Sequence, residues 1–165
     1  MTTKSNLLKK FRIVLCKTSH AGNIGSVARA MKTMGFSDLY LVNPKDFPSD
    51  HANALSCGAE DILRKANVVS SLGAALKDIN HVIGFTARKR ELTQPHKNVR
   101  ELSEQLINEA SDNSIAIIFG NETNGLSNIE LQQCQTLGFI DASLKYSSLN
   151  LAHSVQIVCH EIRMM

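Results

Sequence analysis

The segment Tyr146-Ser-Ser-Leu-Asn-Leu-Ala-His-Ser-Val-Gln156 gathers small and amide-bearing polar residues where a helix is predicted to begin. Leu151, Val155, Val158 and Ile162 lie at helical spacing, which predicts one apolar face. Serine and asparagine are the usual caps of a helix N-terminus, so the polar residues are consistent with simple capping. They are equally consistent with a ligand site, because the free N–H groups of a helix start attract hydrogen-bond acceptors.

Two earlier segments also combine small and polar residues with apolar ones, and they belong to the same pattern as the segment at residues 146–156. They are Asn23-Ile-Gly-Ser-Val-Ala-Arg29 and Phe119-Gly-Asn-Glu-Thr-Asn-Gly-Leu126. In this order, the three segments resemble the knotted SPOUT class of RNA methyltransferases. Within that class, the chain is most similar to the catalytic domain of the bacterial enzymes that methylate the 2′-oxygen of cytidine or uridine 32 in tRNA. The resemblance extends from about Arg12 to Met165 and includes residues 18–35 and Leu41-Val-Asn-Pro44.

The length of 165 residues predicts a single domain, residues 1–165, in which the polar and basic residues 1–10 are expected to form a flexible tail. No apolar run is long enough for a membrane span, and no signal peptide is recognisable, so no membrane partner is expected. The four cysteines are scattered and the six histidines show no ligand spacing. This pattern predicts reduced thiols, a cytoplasmic location and no metal. The net charge of +3 is only a weak indication of a polyanionic partner.

Short apolar runs alternate with amphipathic stretches, which predicts an α/β fold with a parallel sheet flanked by helices. Strands are predicted at residues 11–16, 39–42, 68–69, 81–86, 115–119 and 138–140. Asn23 is predicted to cap a helix that runs to Met34 and ends at Gly35. Two short helices are predicted within residues 51–78. The resemblance adds a deep C-terminal trefoil knot, which is an exception to the usual unknotted topology.

Three predicted strands end in segments with glycine or small polar residues, at residues 84–87, 119–122 and 140–141. Ligands of open α/β sheets bind beyond the carboxyl ends of the strands, although glycines at these positions can also serve turns alone. A G-x-G-x-x-G segment is absent, which argues against a dinucleotide site. The resemblance implies an S-adenosylmethionine pocket, lined by Phe85, Thr86, Ala87, Gly120, Ile140, Ser147, Ser148 and Leu149.

Arg29 lies off the apolar stripe of its predicted helix, with Gly25 and Ser26 on the same side. The small neighbours would let a substrate approach, but the spacing alone favours a solvated surface arginine, which is the default on a helix. The resemblance implies that Arg29 and Ser148 are catalytic residues. Because arginine is effectively always protonated, Arg29 is expected to donate to a phosphate and to the ribose 2′-oxygen rather than to act as a base.

The resemblance also implies that Asn23, Glu122 and Asn150 have structural roles at the site. Glu122 is expected to anchor the loops of the knot through their backbone N–H groups. The chain departs from its branch at two positions: Asn121 replaces a usual arginine, and Asp141 replaces a common proline. The first departure removes a substrate contact that the branch would otherwise imply.

A basic cluster follows the strand at residues 81–86. It comprises Arg88, Lys89, Arg90, His96, Lys97 and Arg100. Basic residues beside a cofactor loop suit an RNA phosphate backbone, although most charge runs are simply solvated. Arg88, Arg90 and Lys97 are therefore the predicted RNA-binding residues.

The predicted function is S-adenosylmethionine-dependent 2′-O-methylation of a ribose in tRNA, at nucleotide 32 of the anticodon loop. The resemblance implies a homodimer, and Val155, Val158, Cys159 and Ile162 would give the final helix more apolar surface than a terminal surface helix should expose. The branch's C-terminal extension, which contributes to tRNA binding, is absent from this sequence. The alternatives are a ribosomal-RNA ribose methyltransferase, which would keep the pocket, and a cofactor-free RNA-binding module, which would not.

Overall fold

A parallel sheet forms the centre of the computed structural model, which describes residues 3–87 and 92–165. Within those residues the strands are β1 (Phe11–Cys16), β2 (Asp38–Val42), β3 (Asn67–Val69), β4 (His81–Phe85), β5 (His96–Asn98), β6 (Ile115–Phe119) and β7 (Thr136–Phe139). Their order across the sheet is β3-β2-β1-β6-β4-β7-β5, and every neighbouring pair is parallel.

Helices cover both faces of the sheet. They are α1 (Thr3–Leu8), α2 (Ala21–Met34), α3 (Asp50–Ser56), α4 (Glu60–Lys65), α5 (Leu72–Ala75), α6 (Val99–Glu109), α7 (Asn128–Gln132) and α8 (Leu151–Met164). Ile115, Ile117 and Phe119 of β6 pack into the core beneath α2, α6 and α8, whereas Ala116 and Ile118 pack into the second core with α5 and α7. The alternation arises because successive strand side chains point to opposite faces.

The central strands explain why the sheet was predictable. All five residues of β6 are buried, and five of the six residues of β1 are buried. Strands covered on both faces are continuous apolar runs, which is how they stand out in the sequence. The predicted α/β fold with a parallel sheet flanked by helices is confirmed, and the trefoil knot stays a prediction.

The first long helix differs from its prediction at its start. Helix α2 begins at Ala21 with His20 as its N-cap, and the His20 side chain makes no capping hydrogen bond. Asn23 therefore lies inside the first turn, and the prediction that it caps the helix is wrong. The predicted end is confirmed, since Gly35 adopts the left-handed conformation at φ 85° that a glycine accommodates without strain.

The expectation of a flexible tail is wrong for residues 3–10. Residues 3–8 form α1, and Leu8 is only 1% exposed because it packs with Phe11 in the core. The ammonium of Lys4 also donates to the carbonyl oxygen of Arg163 at 3.0 Å, which joins α1 to the end of α8. The basic residues of this segment led to the prediction of a tail, although Leu8 is part of the core.

Two other regions depart from the sequence prediction. Residues 51–78 lie in a region with three helices, α3, α4 and α5, rather than two. Strand β7 spans Thr136–Phe139 instead of residues 138–140, and β5 was not predicted at all. Strand β5 is a three-residue polar edge strand, His-Lys-Asn, so it carries no apolar signal.

The apolar residues of α8 lie inside the protomer. Val155, Val158, Cys159 and Ile162 are at most 1% exposed, because α8 packs against both α2 and α6. The prediction that these residues form an exposed apolar face is therefore wrong. These four residues therefore provide no apolar surface for a homodimer interface.

Helices α2 and α3 approach each other closely at Gly25. A Cβ added there would lie 2.0 Å from the carbonyl oxygen of Ala52 in α3. This contact gives Gly25 a packing role, and it shows that the space beside Gly25 is taken by α3 rather than open to a substrate.

We expect Gly25→Ala to destabilise the fold by at least about 1–3 kcal/mol, because the added methyl meets backbone that cannot rotate away. Urea unfolding followed by circular dichroism measures the change. Gly73→Ala in α5 is the matched control, since nothing lies within 4 Å of its Cβ position. The control should be neutral or slightly stabilising. Equal unfolding midpoints for the two variants would contradict the packing role of Gly25.

Candidate active site

The carboxyl ends of β4 and β6 and the segment after β7 border one cleft of about 670 Å³. A cleft of this size suits a small-molecule ligand. All of the residues predicted to hold the cofactor line it: Phe85, Thr86, Ala87, Gly120, Ile140, Ser147, Ser148 and Leu149. The structure therefore brings together residues from three distant parts of the chain, and cofactor binding by them stays a prediction.

The apolar part of the cleft comes from the ends of two adjacent strands. Phe85 of β4 and Phe119 of β6 are paired in register, and their rings stack with centroids 5.5 Å apart. Ile140 and the 37% exposed Leu149 add aliphatic surface. This combination provides a surface against which a flat, apolar ring can pack.

The polar part of the cleft combines exposed backbone with polar side chains such as those of Asn23, Glu122 and Asn150. Residues 141–150 are all exposed, and the N–H groups of Ser147, Ser148 and Leu149 have no hydrogen-bond acceptor among the described residues. On another side, the loop after Gly120 folds back so tightly that a Cβ at Gly120 would lie 2.0 Å from the carbonyl carbon of Gly125. The cleft thus offers three free N–H donors beside a loop that only glycine permits.

Glu122 is the most heavily hydrogen-bonded side chain at the cleft. Its Oε2 accepts from Ser19 N–H at 2.9 Å and from Ser19 Oγ at 2.6 Å. Its Oε1 accepts from His20 N–H at 3.2 Å and from Asn23 Nδ2 at 3.1 Å. Burial alone would raise the pKa of Glu122, but the hydrogen bonds from Ser19 and Asn23 outweigh it and lower the pKa to about 2. The carboxylate is therefore ionised at neutral pH.

The partners of Glu122 correct one expectation. Glu122 does accept backbone N–H groups, but they belong to Ser19 and His20 at the start of α2 rather than to the predicted knot loops. The negative charge lies where the dipole of α2 favours an anion. Glu122 thus binds the two N–H groups directly before the first turn of α2, whereas the His20 side chain makes no capping hydrogen bond.

Asn23 and Asn150 continue this connection to the last helix. Asn150 Nδ2 donates to Asn23 Oδ1 at 3.2 Å. Asn150 Oδ1 accepts from Ala152 N–H at 2.9 Å, which caps α8. A single chain of hydrogen bonds therefore runs from Glu122 through Asn23 to Asn150 and joins the three segments that the sequence singled out. In the segment at residues 146–156, Asn150 caps α8, while Ser147 and Ser148 line the cleft.

The predicted catalytic pair is divided by the structure. Ser148 lines the cleft, but Arg29 does not. Arg29 is exposed on α2, and its guanidinium forms no hydrogen bond or ion pair with residues 3–87 or 92–165. Within one protomer, Arg29 and Ser148 therefore do not form a common site.

The predicted RNA-binding residues are only partly described. Arg88 and Arg90 lie outside the described residues. Lys97 is half-buried on β5, and its ammonium donates to Gln105 Oε1 at 2.6 Å. Arg100, from the same basic cluster, pairs with Glu161 on α8. The described part of this cluster is thus engaged with the protein itself.

Sequence reasoning missed several residues of the site, of which four stand out. Ser19 and His20 bind Glu122, and Lys145 and Tyr146 line the cleft beside the predicted serines. The polar run Thr18-Ser-His20 directly after β1 was the signal for the first two. A shallower depression of about 600 Å³ shares His20, Asn23 and Asn150 with the cleft and extends it towards His51.

A sequence model of the SpoU rRNA Methylase family matches residues 10–160. The chain belongs to this family. A SpoU-type relative from Photorhabdus laumondii, the tRNA (cytidine/uridine-2′-O-)-methyltransferase TrmJ, is 50% identical over 158 residues, which are 96% of this chain and 66% of the relative. The first curated relatives are covered over only 62–66% of their length, so the chain spans less than two thirds of them.

Solved structures support the same family. A probable methylase family protein from Haemophilus influenzae is 49% identical with a TM-score of 0.90, and the match covers 95% of this chain and 66% of that protein. TrmJ from Z. mobilis is 32% identical with a TM-score of 0.87, over 93% of this chain and 68% of the other. The arrangement of strands and helices around the cleft is therefore that of SpoU-family proteins.

Within residues 3–87 and 92–165, no helix is long and apolar enough to cross a membrane. The same residues contain no group of three or more His, Cys, Asp or Glu side chains that could hold a metal ion.

We expect Glu122→Gln to lower the free energy of unfolding by about 1–2 kcal/mol at pH 7, because an amide NH₂ would face donor groups that now share a carboxylate. The pKa of Glu122 is lowered in the folded state, so its contribution is present above about pH 4.5 and lost as the pH falls towards 2. The difference between wild type and variant should therefore shrink over that window.

Urea unfolding between pH 7 and pH 3 measures this difference. Glu104→Gln on the exposed face of α6 is the control and should stay within about 0.5 kcal/mol of wild type at every pH. A difference that is constant with pH would show that the charge of Glu122 does not hold the start of α2.

Proposed function

We propose that the chain methylates the 2′-hydroxyl of a ribose in tRNA, with S-adenosylmethionine as methyl donor. The observation that carries the proposal is the cleft in which Gly120, Ser148 and their neighbours meet, with three backbone N–H groups that have no acceptor within residues 3–87 and 92–165. The curated relative from P. laumondii is a tRNA methyltransferase by name, and the cleft lies within the matched region. We extend that activity to this chain.

The residues of the cleft fit the proposed cofactor. The apolar surface of Phe85, Ile140 and Leu149 suits an adenine ring, and the free N–H groups of Ser147 and Ser148 suit its ring nitrogens and ribose hydroxyls. When bound, S-adenosylmethionine supplies an electrophilic methyl group. The contribution of the chain is to position the ribose and to stabilise charge as the 2′-oxygen loses its proton.

The substrate we propose is nucleotide 32 of the tRNA anticodon loop, as either cytidine or uridine. The names of the curated relatives include both pyrimidines. The second candidate is ribosomal RNA, which the description of the matching family names. Methylation of separate tRNA and rRNA pools with labelled cofactor, followed by mapping of the modified nucleotide, distinguishes them. Label in rRNA alone would overturn the tRNA proposal.

We also propose a homodimer in which Arg29 of one copy serves the cleft of the other. Arg29 is exposed, unpaired among the described residues and outside the cleft of its own protomer. An arginine at a second copy's cleft would present its planar fork to a phosphate and the ribose 2′-oxygen. Arg88, Arg90 and Lys97 are proposed to bind RNA phosphates. The proposed substrate places the chain in the cytoplasm.

We expect S-adenosylhomocysteine to raise the melting temperature by about 5–10 °C at a concentration 100 times its Kd, because it would bind only the folded state. Differential scanning fluorimetry measures the shift. Ser148→Trp, whose ring would fill part of the cleft, is the control and should show little shift. No shift of the wild type at millimolar ligand would count against the cofactor assignment.

We expect Arg29→Ala to lower the single-turnover rate of tRNA methylation about a hundredfold to a thousandfold while cofactor affinity is retained. Arg29→Lys should recover little, because lysine lacks the planar fork. Arg64→Ala, on the exposed side of α4, is the matched control and should keep the wild-type rate.

Subunit mixing tests the shared site directly. Arg29→Ala and Ser148→Trp homodimers should each be inactive, and co-expression of the two should restore part of the activity. Recovery follows because a mixed dimer contains one intact cleft faced by one intact Arg29. If the mixture is as inactive as its parents, Arg29 does not act across the dimer.

A further inference from the structure

A short turn at the mouth of the cleft presents an aromatic ring to solvent. Residues 143–146 form the turn, in which Tyr146 N–H donates to the Ser143 carbonyl oxygen at 3.1 Å. Lys145 N–H also donates to Ser143 Oγ at 3.3 Å. The backbone of the turn is thus held by its own hydrogen bonds.

Tyr146 occupies this turn without any partner of its own. Its side chain lines the cleft, yet the residue is 80% exposed. Its ring pairs with no other aromatic ring, and its hydroxyl has no hydrogen bond, within residues 3–87 and 92–165. The adjacent Lys145 also lines the cleft, and its ammonium has no ion pair among those residues. The protein therefore presents a flat ring and a cation side by side.

We propose that the ring of Tyr146 is a stacking surface for the target pyrimidine and that Lys145 binds a neighbouring phosphate. The proposal rests on the proposed function and assigns the substrate base to one side chain. Unpaired bases in RNA loops turn out of the helix and stack on aromatic side chains. A lysine beside such a ring adds affinity through the phosphate backbone without reading the base.

Stacking also explains how one site accepts both proposed bases. Cytidine has an amino donor at the position where uridine has a carbonyl acceptor, so a residue that reads this edge must distinguish them. Their ring faces are alike, and stacking depends on the face. A tyrosine ring that contacts the base through its face is therefore suited to a substrate position at which both pyrimidines are methylated.

The exposure of Tyr146 leaves its surface available to a ligand. Phe85 and Phe119 form the enclosed apolar part of the cleft and are 8% and 3% exposed, whereas Tyr146 is 80% exposed. The neighbouring Ser147 and Ser148 are also exposed and are assigned to the cofactor, so the cofactor affinity of Tyr146 variants, rather than exposure, separates the two roles.

The first test compares Tyr146→Ala and Tyr146→Phe with Leu144→Ala. Leu144 is fully exposed on the same turn and does not line the cleft, so it is a matched control. Calorimetry measures the affinity for S-adenosylhomocysteine. Equilibrium binding and methylation are measured with two anticodon stem-loop RNAs that differ only by cytidine or uridine at the target position.

We expect Tyr146→Ala to weaken RNA binding roughly tenfold to a hundredfold, by the same factor for both RNAs, with cofactor affinity within about twofold. Tyr146→Phe and Leu144→Ala should resemble wild type, because the ring face is kept in the first and is not involved in the second. Lys145→Gln should reduce the slope of log affinity against log salt by about one for both RNAs.

Three results would overturn the proposal. If Tyr146→Ala loses cofactor affinity in step with RNA affinity, the ring belongs to the cofactor site. If the two RNAs are affected unequally, the side chain reads a base edge. If Tyr146→Phe is as damaging as Tyr146→Ala, the hydroxyl and not the ring face is responsible.

A fluorescence measurement keeps this test separate from the proposed function. The chain has two tyrosines and no tryptophan, so Tyr40→Phe leaves Tyr146 as the sole emitter. Phenylalanine keeps the ring at position 40 over which Arg12 lies at 4.0 Å. Stacking should quench Tyr146 emission when stem-loop RNA is added, after correction with free tyrosine amide for absorption by the RNA.

Failure of the proposed function and failure of the stacking role then give different results. Quenching without methyl transfer would contradict the proposed function and support the stacking role. Methyl transfer without quenching at saturating RNA would support the proposed function and overturn the stacking role.

Discussion

The carboxylate of Glu122 joins the loop after β6 to the first turn of α2, and the geometry of the cleft depends on that contact. Four donors from Ser19, His20 and Asn23 converge on its two oxygens. Asn23 then holds Asn150, which caps α8. If the carboxylate were lost, the loop after β6 would lose its four hydrogen bonds to Ser19, His20 and Asn23, while α2 and α8 would still pack against each other.

This arrangement determines which groups remain free for ligands. Glu122 binds the N–H groups of Ser19 and His20, which directly precede α2, and places a negative charge near the positive end of that helix. Within the described residues, N–H groups without an acceptor lie on Ser147, Ser148 and Leu149, in a segment with no regular structure. The cleft therefore combines apolar strand ends with an exposed polar segment, whereas the exposed cation Arg29 is not among the residues that line it. The separation of Arg29 from the residues that line the cleft suits the proposed site, which a second copy of the chain would complete.

The sequence predicted the centre of the sheet well and its margins poorly. Strands β1 and β6 are continuous apolar runs because both faces are covered, so their pattern is unambiguous. Strand β5 has three polar residues at the edge, and α1 is short and basic, so neither carries a periodic signal. The eight predicted cofactor residues do meet at one cleft, but through the resemblance of the segments rather than through any periodicity in them.

By itself, the sequence determined the local features: the buried strands, the glycine that ends α2 and the family. These depend on residues near each other in the chain. Only the tertiary structure decided that Glu122 holds Ser19, 103 positions away, and that Asn150 holds Asn23, 127 positions away. It also decided that the apolar stripe of α8 is buried against α2 and α6. An amphipathic helix specifies that one face needs apolar cover, but whether its own protomer or a second copy supplies that cover depends on how the other helices pack.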